Sequence, residues 1–324
     1  MLSRYVPLVR FSVFLVVVFS CSAEAIADQT SAPGADLSGA DFSGANLDGA
    51  VFTGANMVGA VFDGASLRGA DLRESYLREA SFRSTDLTGA ILDGADLSLA
   101  DFRNAILDSS SLTRAILDNA RLESAVLRAA FLPGARLVKA NLQNANLENA
   151  VLTDVDLSQA NLTNANLRGA QLGTTGLGNL TPLAAKLTGA NLSDADLSGA
   201  GLVDVNLSEA ILVGANFQGA DLSYANLTWV RARGAKFSSA SLPWVRAYGA
   251  DFRDADFSGA VMTLAQLTGS NLSGANLRQA DLEYADLSLS NLSGVDVDFS
   301  VFTGIRLSGA QNIPDVLKLN SPQQ

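Results

Sequence analysis

Carboxylates are the most abundant side chains in this sequence that could do chemistry. The 324 residues include 33 Asp and Glu, no histidine and a single cysteine, Cys21. Pairs of Asp can act as general acid and base, but here the carboxylates recur at a regular outward position, which indicates solvated surface charge. A mature chain without His or Cys has no histidine base, no thiol nucleophile and no His/Cys zinc site. Its glycines form no phosphate-binding loop motif. We therefore expect no enzyme, cofactor or metal site.

Two similar stretches carry binding chemistry instead. Trp-Val-Arg-Ala occurs at 229–232 and again at 244–247, and more basic and aromatic residues lie nearby. Exposed tryptophan, tyrosine and arginine are favoured at the energetic centres of protein interfaces. The alternative is that the large residues cover a thin part of the interior, because Ala232 and Ala247 stand where a large apolar residue is the rule. The candidate partner-binding residues are Trp229, Arg231, Arg233, Trp244, Arg246 and Tyr248.

A five-residue repeat must position these side chains. Units such as Ala40–Gly44 (ADFSG) recur in one frame across residues 35–314, each with a large apolar centre and, in most, alanine two residues earlier. Two apolar positions separated by one polar position match a short strand-like alternation. An α-helix would rotate each unit by about 140° and scatter the apolar residues over every face. Each unit therefore forms one short side of an all-β solenoid, with its centre pointing inward.

The number of sides per coil follows from residues that would stack on one another. At the position after the centre, opposite charges outnumber like charges when residues four units apart are compared, as at Asp48 and Arg68, but not at three or five units. Stacked coils lie about 4.8 Å apart, where like charges repel. The sequence thus predicts four sides per coil and about 14 coils of about 20 residues. Internal aromatic stacks are expected at Phe42, Phe62, Phe82 and Phe102 and at Phe217, Phe237 and Phe257.

The units also resemble a known family. Their Ala-(Asp/Asn)-(Leu/Phe)-X-X pattern, as in Ala190–Asp194, is similar to that of the pentapeptide repeat family over nearly the whole mature chain. The resemblance implies a right-handed, four-sided β-helix. It implies little about function, although some members of the family protect DNA gyrase by mimicking DNA.

One segment keeps the frame but loses the pattern. In residues 173–184, Leu180 stands at an alanine position and Pro182 at a centre. Proline removes a backbone donor and is found mainly at edges or bulges. A bulged coil and a protruding loop that contacts a partner both fit, because an insertion of two whole units would preserve the frame.

The two ends of the chain lie outside the solenoid. Residues 1–27 read as a signal peptide, with Arg4 and Arg10, an apolar run at 11–20, and a small-residue signal before Asp28. The apolar run is shorter than the roughly 20 residues of a membrane-spanning helix. The alternative is that residues 1–27 remain as an uncleaved N-terminal anchor, which would be the only membrane contact. Lipidation of Cys21 is a third interpretation, but Phe19 fits a lipid-attachment signal poorly. Residues 28–34 form a linker, and residues 315–324 form a tail that covers the last coil.

Two functions fit these features. The first is an exported scaffold or interaction rod, periplasmic or lumenal, that binds a protein partner. The second is an acidic DNA mimic that binds a gyrase- or topoisomerase-type enzyme, which the net charge of −11 favours and the signal peptide opposes. The same charge argues against direct nucleic-acid binding, which needs a basic surface.

The signal peptide gives a direct prediction. The native protein should begin at or near Asp28 and fractionate outside the cytoplasm, because the small-residue signal ends at Ala27. Mass spectrometry of the purified native chain measures its first residue. A soluble cytosolic chain that begins at Met1 would remove the export hypothesis and favour the DNA mimic.

Overall fold

The computed structural model describes residues 31–174 and 183–318. In these ranges the chain winds into a β-solenoid held by isolated parallel bridges, from Ser31↔Val51 to Asn291↔Gln311. Each five-residue unit contributes a single bridging residue, the one before the centre, so the described chain has bridges rather than extended strands. The predicted signal peptide, residues 1–27, lies outside the described residues. The right-handed winding remains what the family resemblance predicts.

The bridges show why a coil has four sides. On both sides of the segment at 173–184, bridging partners lie four units apart along the chain, as in Asn46↔Ser66. Each unit is tied to the adjacent coils through its backbone. In the unit at 45–49, Leu47 N–H donates to Ser66 O at 2.7 Å, and Gly49 N–H donates to Arg68 O at 2.8 Å. The predicted coil of four units is confirmed.

A left-handed residue closes each corner. Gly44 has φ 68° and Trp229 has φ 59° at the same unit position, where the chain turns onto its next side. Glycine adopts this region without cost, and Asn and Asp tolerate it better than other residues. A large side chain at this position is therefore strained, as it is at Trp229, Trp244 and Tyr284.

The centres and the alanines two residues before them form one continuous core. Phe62 lies between Phe42 and Phe82, with ring centroids 5.0 and 4.9 Å away. Phe237 is held in the same way between Phe217 and Phe257, at 4.9 and 4.8 Å. Both predicted aromatic stacks are confirmed. External amide ladders repeat with the same spacing, as where Asn161 Nδ2 donates to Asn141 Oδ1 at 2.9 Å.

Surface charges follow the coil spacing less strictly. Arg128 pairs with Asp108 at the equivalent position of the adjacent coil, as the pattern predicts. Arg68 instead pairs with Asp86 at 3.4 Å, and Asp48 accepts hydrogen bonds from the backbone N–H of Arg68 and from the hydroxyl of Ser66. Asp48 and Arg68 are thus neighbours in adjacent coils without a side-chain ion pair, because the long arginine side chain also reaches a carboxylate on the bridging position of the next coil.

The segment at 173–184, which we call the excursion, changes the spacing between bridging partners. Bridging partners across it are six units apart instead of four, as in Asp156↔Lys186. Ala185 N–H donates to Leu172 O at 2.8 Å, the bond that the next unit makes elsewhere. The described residues on either side of the segment therefore bridge with two units more between them than elsewhere in the solenoid. Leu180 and Pro182 lie outside the described residues.

The C-terminal end of the solenoid is partly covered. A one-turn helix, α1 (Asp315–Lys318), follows the last coil, and Leu317 is buried against the core. This agrees with a tail that covers the last coil as far as residue 318. Within the described ranges, no helix has the length and apolar character needed to cross a membrane.

The assignment of inward and outward positions can be tested on adjacent residues. Phe237→Ala should cost about 3–5 kcal/mol of unfolding free energy, because it leaves a cavity in an aromatic stack. Ser238→Ala, one residue further along and facing outward, should stay within about 0.5 kcal/mol. Urea denaturation followed by circular dichroism measures both, and equal losses would mean that the two positions do not face opposite ways.

Candidate functional site

The carboxylates have structural roles in the described part of the chain. Within residues 31–174 and 183–318, no group of three or more His, Cys, Asp or Glu side chains could hold a metal ion. Asp101 is the most enclosed ion-pair acceptor there, with Arg103 Nη2 at 2.7 Å, Arg83 Nε at 2.8 Å and Arg121 Nη1 at 3.7 Å. Burial raises the pKa of Asp101, but hydrogen bonds from Arg103 and Arg83 outweigh it and hold the pKa well below its ordinary value. Asp101 therefore remains a carboxylate that joins three successive coils.

The solenoid brings four of the six candidate residues onto one side. Trp244, Arg246 and Tyr248 follow one another across a single side, whose bridging residues include Asn226, Arg246 and Gln266. We call it the Arg246 side. Trp229 ends the unit of Asn226, so it lies one coil earlier at the same corner as Tyr248.

The other two candidates face elsewhere. Arg231 bridges to Asp251 on the next side of the solenoid, and Arg233 lies at the far corner of that side. Arg233 is paired with Asp254 at 3.0 Å. The six residues therefore lie on two adjacent sides that meet at the corner of Trp229, as the predicted four sides per coil imply.

The tryptophans do not fill a thin interior. Trp229 is 64% exposed and Trp244 is 44% exposed. The small centres Ala232 and Ala247 are instead preceded by Val230 and Val245, which are buried where alanine is the rule. Phe252, one coil beyond Ala232, packs edge-on against Phe237 and Phe257. Val230, Val245 and Phe252 thus fill the space beside the small centres, while both tryptophans remain exposed.

The ring of Trp229 packs over Gly249 in the next coil. A Cβ at Gly249 would collide with Cζ3, Cε3 and Cη2 of the Trp229 ring, so the ring occupies the space that any other residue there would fill. Tyr284 lies over Gly304 in the same way. Both large side chains are thus accommodated by a glycine one coil further on, and they remain exposed.

Sequence reasoning missed a second group of large residues. Tyr224 and Trp244 stack at 6.4 Å between ring centroids with their planes 9° apart. Leu264 and Tyr284 continue the same corner in the next two coils, and Tyr284 is exposed. The excursion at 173–184 leaves the solenoid at this same corner, since Thr174 Oγ1 donates to Asp204 Oδ2 one coil before Tyr224. Comparing the last position of each unit with that of the unit one coil away would have found the group. We call it the aromatic ridge: Tyr224, Trp244, Leu264 and Tyr284.

The charged and polar groups beside the ridge are only partly engaged. In the described part of the chain, neither Arg246 nor Arg231 has a carboxylate within ion-pair distance, whereas Arg233 and Arg253 do. The Tyr248 hydroxyl donates to Gln266 Oε1, which fixes both side chains. An open groove of about 250 Å³ lies here, lined by Asp204, Tyr224, Trp244, Arg246 and Gln266.

The repeat and the coil geometry define a solenoid of the pentapeptide type. The family model described as pentapeptide repeats matches this chain in overlapping stretches that cover residues 34–175 and 184–309. The chain belongs to the pentapeptide repeat family. No curated protein matches it.

Solved structures of the same family resemble the chain. HetL from the cyanobacterium Nostoc sp., a pentapeptide repeat protein involved in heterocyst differentiation regulation, is 30% identical, with a TM-score of 0.35. The match covers 77% of this chain and 88% of HetL. QnrB1, a plasmid-mediated fluoroquinolone resistance protein, is 16% identical over 59% of this chain and 89% of its own, with a TM-score of 0.41. A pentapeptide repeat protein of the Arabidopsis thaliana thylakoid lumen is 27% identical over 40% of this chain and 73% of its own, with a TM-score of 0.23.

The contact between the Trp229 ring and Gly249 can be tested by fluorescence. In a Trp244→Phe background, Trp229 is the only tryptophan. Gly249→Ala should then shift the fluorescence of Trp229, because the added methyl group displaces the ring. Gly269→Ala is the matched control, since its φ is +70° and nothing lies within 4 Å of the added carbon. Both variants should lose about 1–2 kcal/mol from the left-handed backbone. An unchanged emission spectrum in Gly249→Ala would contradict the contact.

Proposed function

We propose that this protein is a non-enzymatic, exported scaffold that binds a protein partner through the Arg246 side and its two corners. The observation that carries the proposal is the exposed cluster of Trp229, Trp244 and Tyr248 around Arg246, in a chain whose other corners are mostly glycine or small polar residues. Tryptophan, tyrosine and arginine dominate the binding energy of protein interfaces. Large exposed aromatic side chains at strained positions cost stability, which favours a role in binding.

The architecture also supports recognition through side chains. Backbone N–H groups of the described coils donate mostly to the coil before or after, along the solenoid axis, as where Asn226 N–H donates to Val205 O at 2.9 Å. The lateral sides therefore do not offer a row of free backbone groups to which a partner could add a strand. A partner on a lateral side must be recognised by what projects from it. The cluster around Arg246 is where large groups project.

Export is the second part of the proposal. The support is the sequence of residues 1–27, with its basic start, short apolar run and small-residue signal before Asp28. An exported rod without cysteine in its mature part is stabilised by coil stacking and needs no disulfide. The periplasm or a lumen is then where its partner is found.

The DNA mimic remains the second candidate, because the net charge is −11. A mimic of the phosphate backbone needs continuous negative lines along its surface. Here arginines interrupt the carboxylates on successive coils, as where Arg83 and Arg103 both bind Asp101. This mixed surface supports the scaffold over the mimic.

Site-specific photo-crosslinking in the native cell tests the proposal. A benzophenone amino acid in place of Leu264, within the aromatic ridge, should yield a discrete crosslinked protein in the envelope or lumenal fraction. The double variant Trp229→Ser with Trp244→Ser should abolish that product while the circular dichroism spectrum is retained. The probe in place of Phe131, an exposed aromatic residue on another side, is the matched control and should yield no such product.

The identity of the product separates the two candidates. A crosslinked protein that resides outside the cytoplasm supports the scaffold. A cytoplasmic DNA-binding enzyme, or equal products from positions 264 and 131, would contradict it.

A further inference from the structure

We propose that the partner element is an extended polypeptide segment with one central carboxylate between apolar side chains, lying along the solenoid axis on the Arg246 side. This inference rests on the proposed function and adds the chemistry of the partner. It follows from the shape of the Arg246 side, from its length and from the distribution of charge on it.

The Arg246 side is a trough with two apolar edges and a polar floor. The aromatic ridge forms one edge over four successive coils. The opposite corner carries Trp229 and Tyr248 in consecutive coils and Leu289 further on, all three exposed. The floor between the edges consists of the bridging residues of those coils: Asn226, Arg246, Gln266 and Asp286.

The dimensions of the trough fit a single extended chain. Trp244 and Tyr248 stand at the two corners of one unit, so the edges are at most about 13 Å from each other at the backbone. Four coils at about 4.8 Å give a length of roughly 15–20 Å. An extended segment at about 3.3 Å per residue fills that length with five or six residues. An α-helix with its side chains is about 10–12 Å across and would rest on the rims rather than reach the floor.

Charge on the floor specifies where a carboxylate belongs. Arg246 is exposed and, among the described residues, has no ion-pair partner, while the acidic groups near both ends of the trough are engaged. Asp286 lies 3.9 Å from Arg306, and Asp204 accepts a hydrogen bond from Thr174. A carboxylate on the partner would pair with Arg246 between two aromatic edges that exclude water, where such a pair is strengthened. A polyacidic segment would meet Asp204 and Asp286 and be repelled.

The edges supply the apolar contacts on either side of that pair. Trp244 is held by stacking on Tyr224, and Trp229 is held by packing over Gly249. Tyr248 is fixed by its hydrogen bond to Gln266. Side chains that are already ordered lose little entropy when a partner binds, which favours their use as anchors. Arg231 offers the same unpaired charge on the neighbouring side, but that side has an aromatic edge only at Trp229, because its far corner carries Arg233 and Gly234. Arg231 therefore provides an internal control for a site with a single aromatic edge.

Labelled six-residue peptides of alternating apolar residues, with a central Glu, Gln or Lys, test the proposal by fluorescence anisotropy on the full chain. The Glu peptide should bind at least about tenfold more tightly than the Lys peptide. Arg246→Glu should reverse that order, and Arg231→Glu should leave it unchanged. Trp244→Ser should weaken the Glu peptide about tenfold, and a peptide with three adjacent Glu residues should bind less well than the one with a single Glu.

The outcomes that would overturn the inference are equally direct. The first group concerns the peptides: no binding of any peptide at millimolar concentration, no preference for Glu, or equal effects of Arg231→Glu and Arg246→Glu. The second group concerns other occupants of the trough: binding of soluble glycan chains alone, or self-association of the protein that Trp244→Ser abolishes. If the photo-crosslink at position 264 still identifies a partner outside the cytoplasm, the proposed function stands and only the partner chemistry is wrong.

Discussion

Hydrogen bonds between neighbouring coils determine nearly everything else in this structure. Each unit is bonded to the coil before it and the coil after it, so most of its backbone groups are used along the axis. This constraint fixes the orientation of each side chain by its position in the unit, with two of every five pointing inward. It also leaves the lateral sides to side chains alone. The protein can therefore vary its surface freely while the interior stays uniform.

The proposed binding surface shows how far that separation extends. The five-residue pattern changes inside and outside the solenoid in the same coils. Inside, Val230 stands where alanine is the rule and Ala232 where a large residue is the rule, while outside, Trp229 replaces a small corner residue. The interior remains closed, because Val230 and Ala232 are both buried. Gly249 in the following coil then makes room for the exposed ring. Three local changes thus build a surface feature without altering the coil.

Electrostatics in the rod works mainly to hold coils together. Asp101 forms ion pairs with arginines from successive coils and stays ionised, because these partners hold its pKa well below the ordinary value despite burial. Exposed pairs of this kind contribute little individually, but their ladder arrangement keeps like charges from stacking. Against that background the unpaired Arg246 stands out, because it lies between aromatic edges rather than beside a carboxylate. Its position favours use in recognition over use in stability.

The sequence by itself determined the interior of this protein and the size of its coil. Sterics demand one large and one small inward residue in every unit, so the pattern predicted the stacks of Phe62 and Phe237 and the coil of four units. Tertiary structure alone decided which exposed side chains contact one another. Two additional units leave a five-residue frame intact, so the sequence does not reveal them. A flexible arginine such as Arg68 can pair with any of several carboxylates within its reach. Residues four units apart become neighbours only once the chain has wound. The stack of Tyr224 on Trp244 and the contact of Trp229 with Gly249 depend on that winding, because repetition fixes the backbone while exposed side chains are constrained only by their neighbours in space.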